Sequence, residues 1–552
     1  MEQLVQECDA TMINSSNTAV ANKKNNSHFK VVCNLNGEMN KLKHFFMKIF
    51  RLVKHIALMQ LLFVLPWAVQ LQAQSIDTSR NRVKTDLTIP FKYIGTIKSR
   101  STGEIKSSNW ILGCETLDRD MTDYDLYKEY IAPLGIKRLR MQAGWAKTEK
   151  TKGVYDWAWL DKIIDDAASR GFEVWLETGY GNPVYEGGGG VTLSGGIPTS
   201  TVALKAWDTW VDALVKRYKN KVKDWEIWNE PNFGDNEING AEAVAQLNIR
   251  TAEIIKRNQP EATISGLAMG HIDLAYADAF FKFINTRKKM HLFDNMTYHD
   301  YVYNPDSNYG HVAELRRTLD KYAPNVKLRQ GENGSPAFGG QGRGALGDYD
   351  WTELSQAKWN IRRMLGDLGH DIESSILGII DMNYPKTGPI TRLNVKGIIE
   401  SDSTKKALRP KMAYYAMQNV AAVFDHSLQR LEDLHPTYNA YLTLDTAKHR
   451  YAKSTDRSVS VYGYEHITTK KQLYAIWSDE YIPTNSNTTR NISFTFLNGN
   501  FQQPVYVDVI TGSVYEIAAN KWSKVGNKYI FKDMPVYDAP ILIADKSLVP
   551  TR

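Results

Sequence analysis

Two glutamates stand in settings unusual for surface carboxylates. Glu230 lies in "DWEIWNEPN", at the end of a strand-like run and directly before Pro231, which cannot extend a ladder because it lacks an N–H. Glu332 lies in "LRQGENGSP", roughly 100 residues later, where another strand-like run gives way to a turn. Neither fits a solvated helix face. Two carboxyls brought together from separate strands can divide acid and nucleophile roles between them. Cleavage of a glycosidic bond with retention needs such a pair about 5–5.5 Å apart. One group holds a proton for the leaving oxygen while the other attacks the anomeric carbon. The charge of Glu332 is expected to raise the pKa of Glu230 and keep its proton in place.

The elements that must position this pair recur regularly. "SNWILGCE", "IKRLRMQAGW", "FEVWLETGYGNP", "VKDWEIWNEP", "ATISGLAMG", "FDNMTYHDY", "VKLRQGENG" and "ILGIIDMNYP" read as eight buried strands. Helical periods separate them. Leu160, Ile163, Ile164 and Ala167 share one face before Gly171, which sits where a helix C-cap belongs. Trp207, Trp210, Val211, Leu214, Val215 and Tyr218 form another face, and Val244, Leu247, Ile254 and Ile255 a third, which stops near Pro260. Eight strand–helix units across 108–425 predict an α/β fold, a (β/α)8 TIM barrel. A doubly wound open sheet is the competing arrangement, but no Gly-rich phosphate turn follows the first strand. From 426 to 552 the runs are short, alternating and turn-separated, as in "SVSVYGYE" and "QLYAIWSDEY", which predicts a C-terminal β-sandwich. Residues 74–107 are expected to add strands to it.

In such a barrel the chemistry sits at the C-terminal ends of the strands. The polar residues there are Arg140 on strand two, Glu177 on three, Asn229 and Glu230 on four, His299 and Tyr301 on six, Glu332 on seven, and Asn383 and Tyr384 on eight. Glu115 lies at the end of strand one. Arg140 can hydrogen-bond Glu332 and keep it ionised. Asn229 can reach a sugar 2-hydroxyl, Tyr301 can donate to Glu332, and His299 can hold the acid or a sugar hydroxyl. The glycine-rich "YEGGGGVTLSGG" does not lead straight into a helix as a phosphate cradle must, and reads as a flexible lid or subsite loop.

"WEIWNEPN" resembles the acid/base motif of the clan A glycoside hydrolases, "LRQGENGSP" their nucleophile segment, and "MTYHDY" their strand-six His-x-Tyr. "RLRMQAGWAKTEKTKGVYDWAWLDKII" is similar to their strand-two region. The similarity runs from about Ser108 to Asp425 and is closest to family 39, which includes β-xylosidases, with family 5 and related endo-glucanases near. It implies a retaining mechanism on β-glycosidic bonds, with Glu230 as acid/base and Glu332 as nucleophile. A non-catalytic carbohydrate-binding protein on the same scaffold is the alternative.

The rest of the chain bounds these readings. Of the net +7, residues 1–73 contribute more than half, and no Lys/Arg-rich run follows, so a nucleic-acid partner is not expected. A carbohydrate is. From Met47, "MKIFRLVKH" followed by "IALMQLLFVLPWAV" and "LQAQS" reads as a signal peptide over 47–73, cut near Ala73. That predicts export to the periplasm or beyond the cell, with no integral membrane span afterwards. Residues 1–46 are polar and unpatterned, as a mis-called start or a disordered extension would be. Cys8 and Cys33 fall in this leader, leaving Cys114, which reads as a small buried residue. The 12 His show no HxH or HxxxH spacing and there is no CxxC, so no metal or cofactor is expected. The 14 Trp suit either sugar platforms or a large core.

Overall fold

Eight parallel strands pair in sequence order around a barrel: β1 (Trp110–Gly113), β2 (Arg138–Gln142), β3 (Glu173–Thr178), β4 (Val222–Ile227), β5 (Thr263–Met269), β6 (Asn295–His299), β7 (Lys327–Glu332) and β8 (Ser374–Leu377). β8 pairs with β1, and parallel bridges Arg329–Glu373 and Asn333–Ile376 close the cylinder between β7 and β8. This computed structural model describes residues 83–385, 390–432, 437–439 and 459–552. The leader, its cut near Ala73, Cys8 and Cys33 lie outside them. Among the described residues no helix is long and apolar enough to cross a membrane.

The helices follow the predicted faces. α1 (Ala158–Ser169) buries Leu160, Ile163, Ile164 and Ala167, and Gly171 follows it at φ +76°. α2 (Thr201–Tyr218) is capped by Ser200, which accepts from Ala203 N–H, and buries Trp207, Trp210, Val211, Leu214, Val215 and Tyr218. α3 (Ala241–Asn258), α4 (Leu274–Thr286) and α5 (Tyr309–Asp320) continue the outer ring. Nine of the 14 tryptophans are fully buried, among them Trp145, Trp207, Trp210 and Trp228, which contact one another. The tryptophan content is therefore mostly core. Cys114 is buried, and burial pushes its thiol well above the usual range, as expected of an unreactive packing residue.

α6 (Glu353–Gly369) departs from the amphipathic pattern, for 14 of its residues are buried, including Lys358, Arg362 and Arg363. Its polar side faces the β-sandwich. Lys358 pairs with Asp538 at 2.6 Å, and Arg362 donates to the Tyr481 carbonyl. α7 (Met412–Val423) is likewise buried, and Asn419 donates to the carbonyl of Val509. The sandwich has a seven-stranded and a four-stranded antiparallel sheet. Lys92–Thr96 is the first strand of the larger sheet and pairs with Ser513–Glu516. Tyr474 and Phe496 stack between the sheets at 3.8 Å.

Candidate active site

β2, β3 and β4 run in register so that Gln142, Glu177 and Glu226 are neighbours around the barrel interior. Inward polar residues on central strands need partners, because a buried charge without one is strongly unfavourable. Arg140, fully buried, supplies them. Its Nε donates to Glu226 at 2.7 Å, while NH2 donates to Glu177 at 2.7 Å and to Asn229 at 2.8 Å. NH1 donates to Glu115 at 2.9 Å and to Glu332 at 3.2 Å. One guanidinium on β2 thus ties four carboxylates and an amide from four other strand ends into a single network.

Two carboxylates reach the mouth. Chain direction changes sharply after β4: Trp228 and Glu230 take positive φ, +67° and +46°, and Pro231 opens a short 3-10 turn. Glu230 N–H donates to the Ala268 carbonyl at 2.7 Å, fixing the turn against β5. Glu230 is 4% exposed, and Oε1 lies 2.9 Å from Nδ1 of His299. Opposite it, Glu332 accepts from Tyr301 Oη at 2.6 Å as well as from Arg140. A carboxylate oxygen of Glu230, one of Glu332 and a ring nitrogen of His299 all fall within 4.8 Å of one another. The three are the only group among the described residues with spacing suited to a metal ion. Both Glu332 oxygens accept hydrogen bonds and Glu230 Oε1 is bonded to His299 Nδ1, while His299 Nε2 is buried without a hydrogen-bond partner.

The two carboxyls differ in electrostatics. Burial lifts Glu230 to about 7, against the lowering influence of Arg140, His271, Arg119 and Lys396. The expected cause, the charge of Glu332, is not the operative one; desolvation is. Burial also lowers His299 to about 4, so the imidazole is neutral at neutral pH. Glu115 is raised to about 7 by burial, with Glu332 contributing and Arg140 opposing. Glu177 is pushed well up, again by burial.

The other predicted residues divide between the mouth and its supports. Asn229 is held from both ends, by Arg140 and by donation to Tyr180 Oη at 2.8 Å. Glu177 and Glu115 sit behind Arg140 as its counter-ions. Tyr384 is close enough to Glu332 and Glu230 to feel both charges. Asn383 stands apart: it donates to the Asp402 carbonyl at 3.1 Å and its N–H to that of Met121. β8 stops at Leu377, so Asn383 and Tyr384 belong to the loop beyond it, not to the strand end. The glycine-rich segment, expected as a lid or subsite loop, is held by its own backbone hydrogen bonds and by Asn239. Its backbone folds on itself through Gly181–Gly190 and Gly190–Gly196 bonds, and Asn239 grips Gly195 and Ile197.

Sequence reasoning passed over Glu226, Tyr180, Arg119 and Lys396. Glu226 had a signal, because a carboxylate between apolar Trp225 and Ile227, on the same strand face as Asp224, must find a partner. Arg119 stacks on Tyr180 at 4.7 Å and donates to Gln142, contacts between distant loops that no local pattern encodes.

A family model described as β-galactosidase matches residues 120–184, which contain Arg140 and Glu177. No curated protein matches the chain in sequence. The fold is shared with a family 39 glycoside hydrolase. That structure, from the gut symbiont Bacteroides cellulosilyticus WH2, superposes with a TM-score of 0.55 at 15% identity, covering 82% of this chain and 83% of the other. A family 39 enzyme from Xanthomonas axonopodis pv. citri gives 0.49 at 14% identity, over 81% and 95% of the two chains. A family 39 β-xylosidase from Caulobacter crescentus gives 0.46 at 17% identity, over 76% and 81%. At these identities the likeness is one of fold.

Proposed function

We propose that this chain is a retaining glycoside hydrolase acting on β-glycosidic bonds, with Glu332 as nucleophile and Glu230 as acid/base. The observation that carries the reading is the closeness of two carboxyls in unlike surroundings. Oxygens within 4.8 Å suit direct attack on the anomeric carbon and leave no room for the water that inversion places between sugar and base.

In the first step a Glu332 oxygen bonds to the anomeric carbon as the bond to the leaving oxygen breaks. Glu230 gives its proton to that oxygen. Arg140 and Tyr301 donate to Glu332 and hold it aimed before attack. In the second step water attacks the same carbon, Glu230 takes its proton, and Glu332 leaves as carboxylate. A pKa near 7 suits both duties of Glu230, since the group can carry a proton or accept one at neutral pH. His299, with its proton on Nδ1, donates to Oε1 in either state and leaves Oε2 for the transferred proton. Asn229, oriented by Arg140 and Tyr180, has one amide hydrogen left for a sugar hydroxyl.

Incubation with aryl β-glycosides tests the activity, with the anomer of the first product read by NMR. A β-configured first product is expected; an α-configured one means inversion and rejects the scheme. A protein that only binds carbohydrate releases no chromophore at any concentration. Residues 47–73 are proposed to direct export to the periplasm or medium, so sequencing of the mature protein should begin close after Ala73.

A further inference from the structure

Four aromatic side chains are exposed among the described residues, and three of them stand on loops at the carboxyl end of the barrel. Phe233 follows β4, Tyr303 follows β6 and Phe338 follows β7, the strands that bring in Glu230, His299 and Glu332; Tyr93 belongs to the sandwich. Single apolar residues scattered over a surface need no explanation, but a concentration on one face does. Tyr303 is tied through its hydroxyl to Asp348, and Lys411 lies over the ring of Phe338, 5.9 Å from the centroid. Phe233 is held in another way, by packing against the backbone and a second ring.

Phe233 closes the 3-10 turn that begins at Glu230. Its N–H donates to the Glu230 carbonyl at 3.2 Å. Three residues at the rise of such a turn place it about 6 Å along the chain from the acid. One face of the ring stacks on His271, with centroids 5.1 Å apart and planes 26° from parallel. Its edge lies against the backbone at Gly270, where a Cβ would come 2.3 Å from Cε2. Asn232 fastens the two loops together: Oδ1 accepts from Gly270 N–H at 2.7 Å, and Nδ2 lies 3.1 Å from His271 Nδ1. Because Oδ1 is the acceptor for Gly270, Nδ2 is the donor to His271, and the neutral imidazole then keeps its proton on Nε2. Held on these sides, Phe233 is still 46% exposed, and His271 is exposed beside it. A fixed apolar face with an N–H donor at its border matches a pyranose, whose C–H faces are apolar and whose rim is hydroxyls. An aryl group would use the face and leave the donor unpaired.

Resting on the glycosidase reading, we infer that Phe233, backed by His271, is the platform for the sugar unit on the leaving side of the cleaved bond. The substrate is then an oligosaccharide or polysaccharide, not the glycoside of a small alcohol. The side follows from the chemistry. Glu230 gives its proton to the leaving oxygen, so whatever that oxygen carries must pass the turn on which Glu230 stands, and Phe233 is on that turn. The platform is assembled before substrate arrives, so stacking requires no further ordering of the ring.

The test compares, on the full chain, β-glycosyl fluorides of xylose, glucose, galactose and mannose with β-linked disaccharides and 4-nitrophenyl β-glycosides of the same sugars. Fluoride departs with no sugar attached and makes no use of the platform. For a sugar whose fluoride is turned over, Phe233→Ala should lower kcat/KM on the disaccharide about tenfold or more and leave the fluoride within about twofold. Phe233→Trp should keep most of the disaccharide activity. Gly270→Ala, whose Cβ displaces the ring without removing it, should reproduce the selective loss. Equal losses on fluoride and disaccharide would mean that Phe233 only holds the turn of Glu230, and overturn the inference. An unchanged disaccharide rate, or a loss confined to the nitrophenyl glycosides, overturns it too. So does cleavage of fluorides with no disaccharide cleaved, and each of these results leaves the hydrolase standing. Absence of turnover on every fluoride overturns the glycosidase reading and this one with it.

Discussion

On the proposed double displacement, the pH behaviour should follow Glu230, which as the acid must be protonated to give its proton away. Its pKa of about 7 is set by burial, so kcat/KM is expected to hold below pH 7 and then fall tenfold per unit above it. Glu230→Gln should remove that alkaline limb together with most activity on unactivated substrates. Glu230→Ala should spare aryl glycosides with good leaving groups far more, and azide should partly rescue it as a β-azide adduct. Equal losses on both substrate types would count against the assignment. Glu332→Gly should leave no turnover with any leaving group. A subtler prediction concerns Gly331, where an added Cβ would sit 2.8 Å from Cδ2 and Nε2 of His299. Gly331→Ala should displace the imidazole and loosen Glu230, lowering kcat on natural substrates about ten- to a hundredfold. The loss should be smaller for activated aryl glycosides, which need less protonation; an unchanged kcat would show that His299 does not position the acid.

At the scale of elements, strands were legible where their ends carried chemistry and helices where their faces were one-sided. Leu160 to Ala167 and Trp207 to Tyr218 were readable because each stripe faces a single core. α6 was readable as a helix but its all-round burial was not, since its cations look solvent-directed in sequence while the structure places them against a second layer. Asn383 was misjudged for a related reason: β8 ends at Leu377, and "IIDMNYP" is an apolar loop, which periodicity cannot tell from a strand. Lys396 and Arg119 gave no signal, because their meaning lies in partners supplied or withheld by other loops. The buried pairs of α6 make a measurable prediction. Arg362 is fully buried and pairs with Asp306 at 2.5 Å, and Trp477 from the sandwich also donates to Asp306. Asp306→Ala should cost about 3–5 kcal/mol in a urea titration, because it strands the guanidinium in the interior. A loss under about 1 kcal/mol, in the range of exposed pairs, would mean that water reaches Arg362.

For the whole molecule, the question is whether the sandwich is a passive appendage to the barrel. The strand Lys92–Thr96 precedes the barrel and joins the sheet that follows it, and Arg552 and Thr96 exchange backbone hydrogen bonds. The barrel is therefore spliced between two parts of one sheet. Gly369 at the end of α6 meets Tyr462 so closely that a Cβ would lie 2.2 Å from its ring. Ile482 packs against the apolar cluster of Leu346, Trp351 and Trp359 that also backs Tyr301, the donor to Glu332. A chain ended at Asp425 would strip α6 and α7 of this cover and leave Lys358 without Asp538. Such a chain should show no cooperative thermal transition and little near-UV circular dichroism, whereas the full chain should unfold with barrel and sandwich together in a single calorimetric peak. If the shortened chain instead melts cooperatively and hydrolyses aryl glycosides, the barrel is self-sufficient. The buried cations of α6 would then have to find solvent where the sandwich had been, and the Tyr301 wall would have to stand without Ile482.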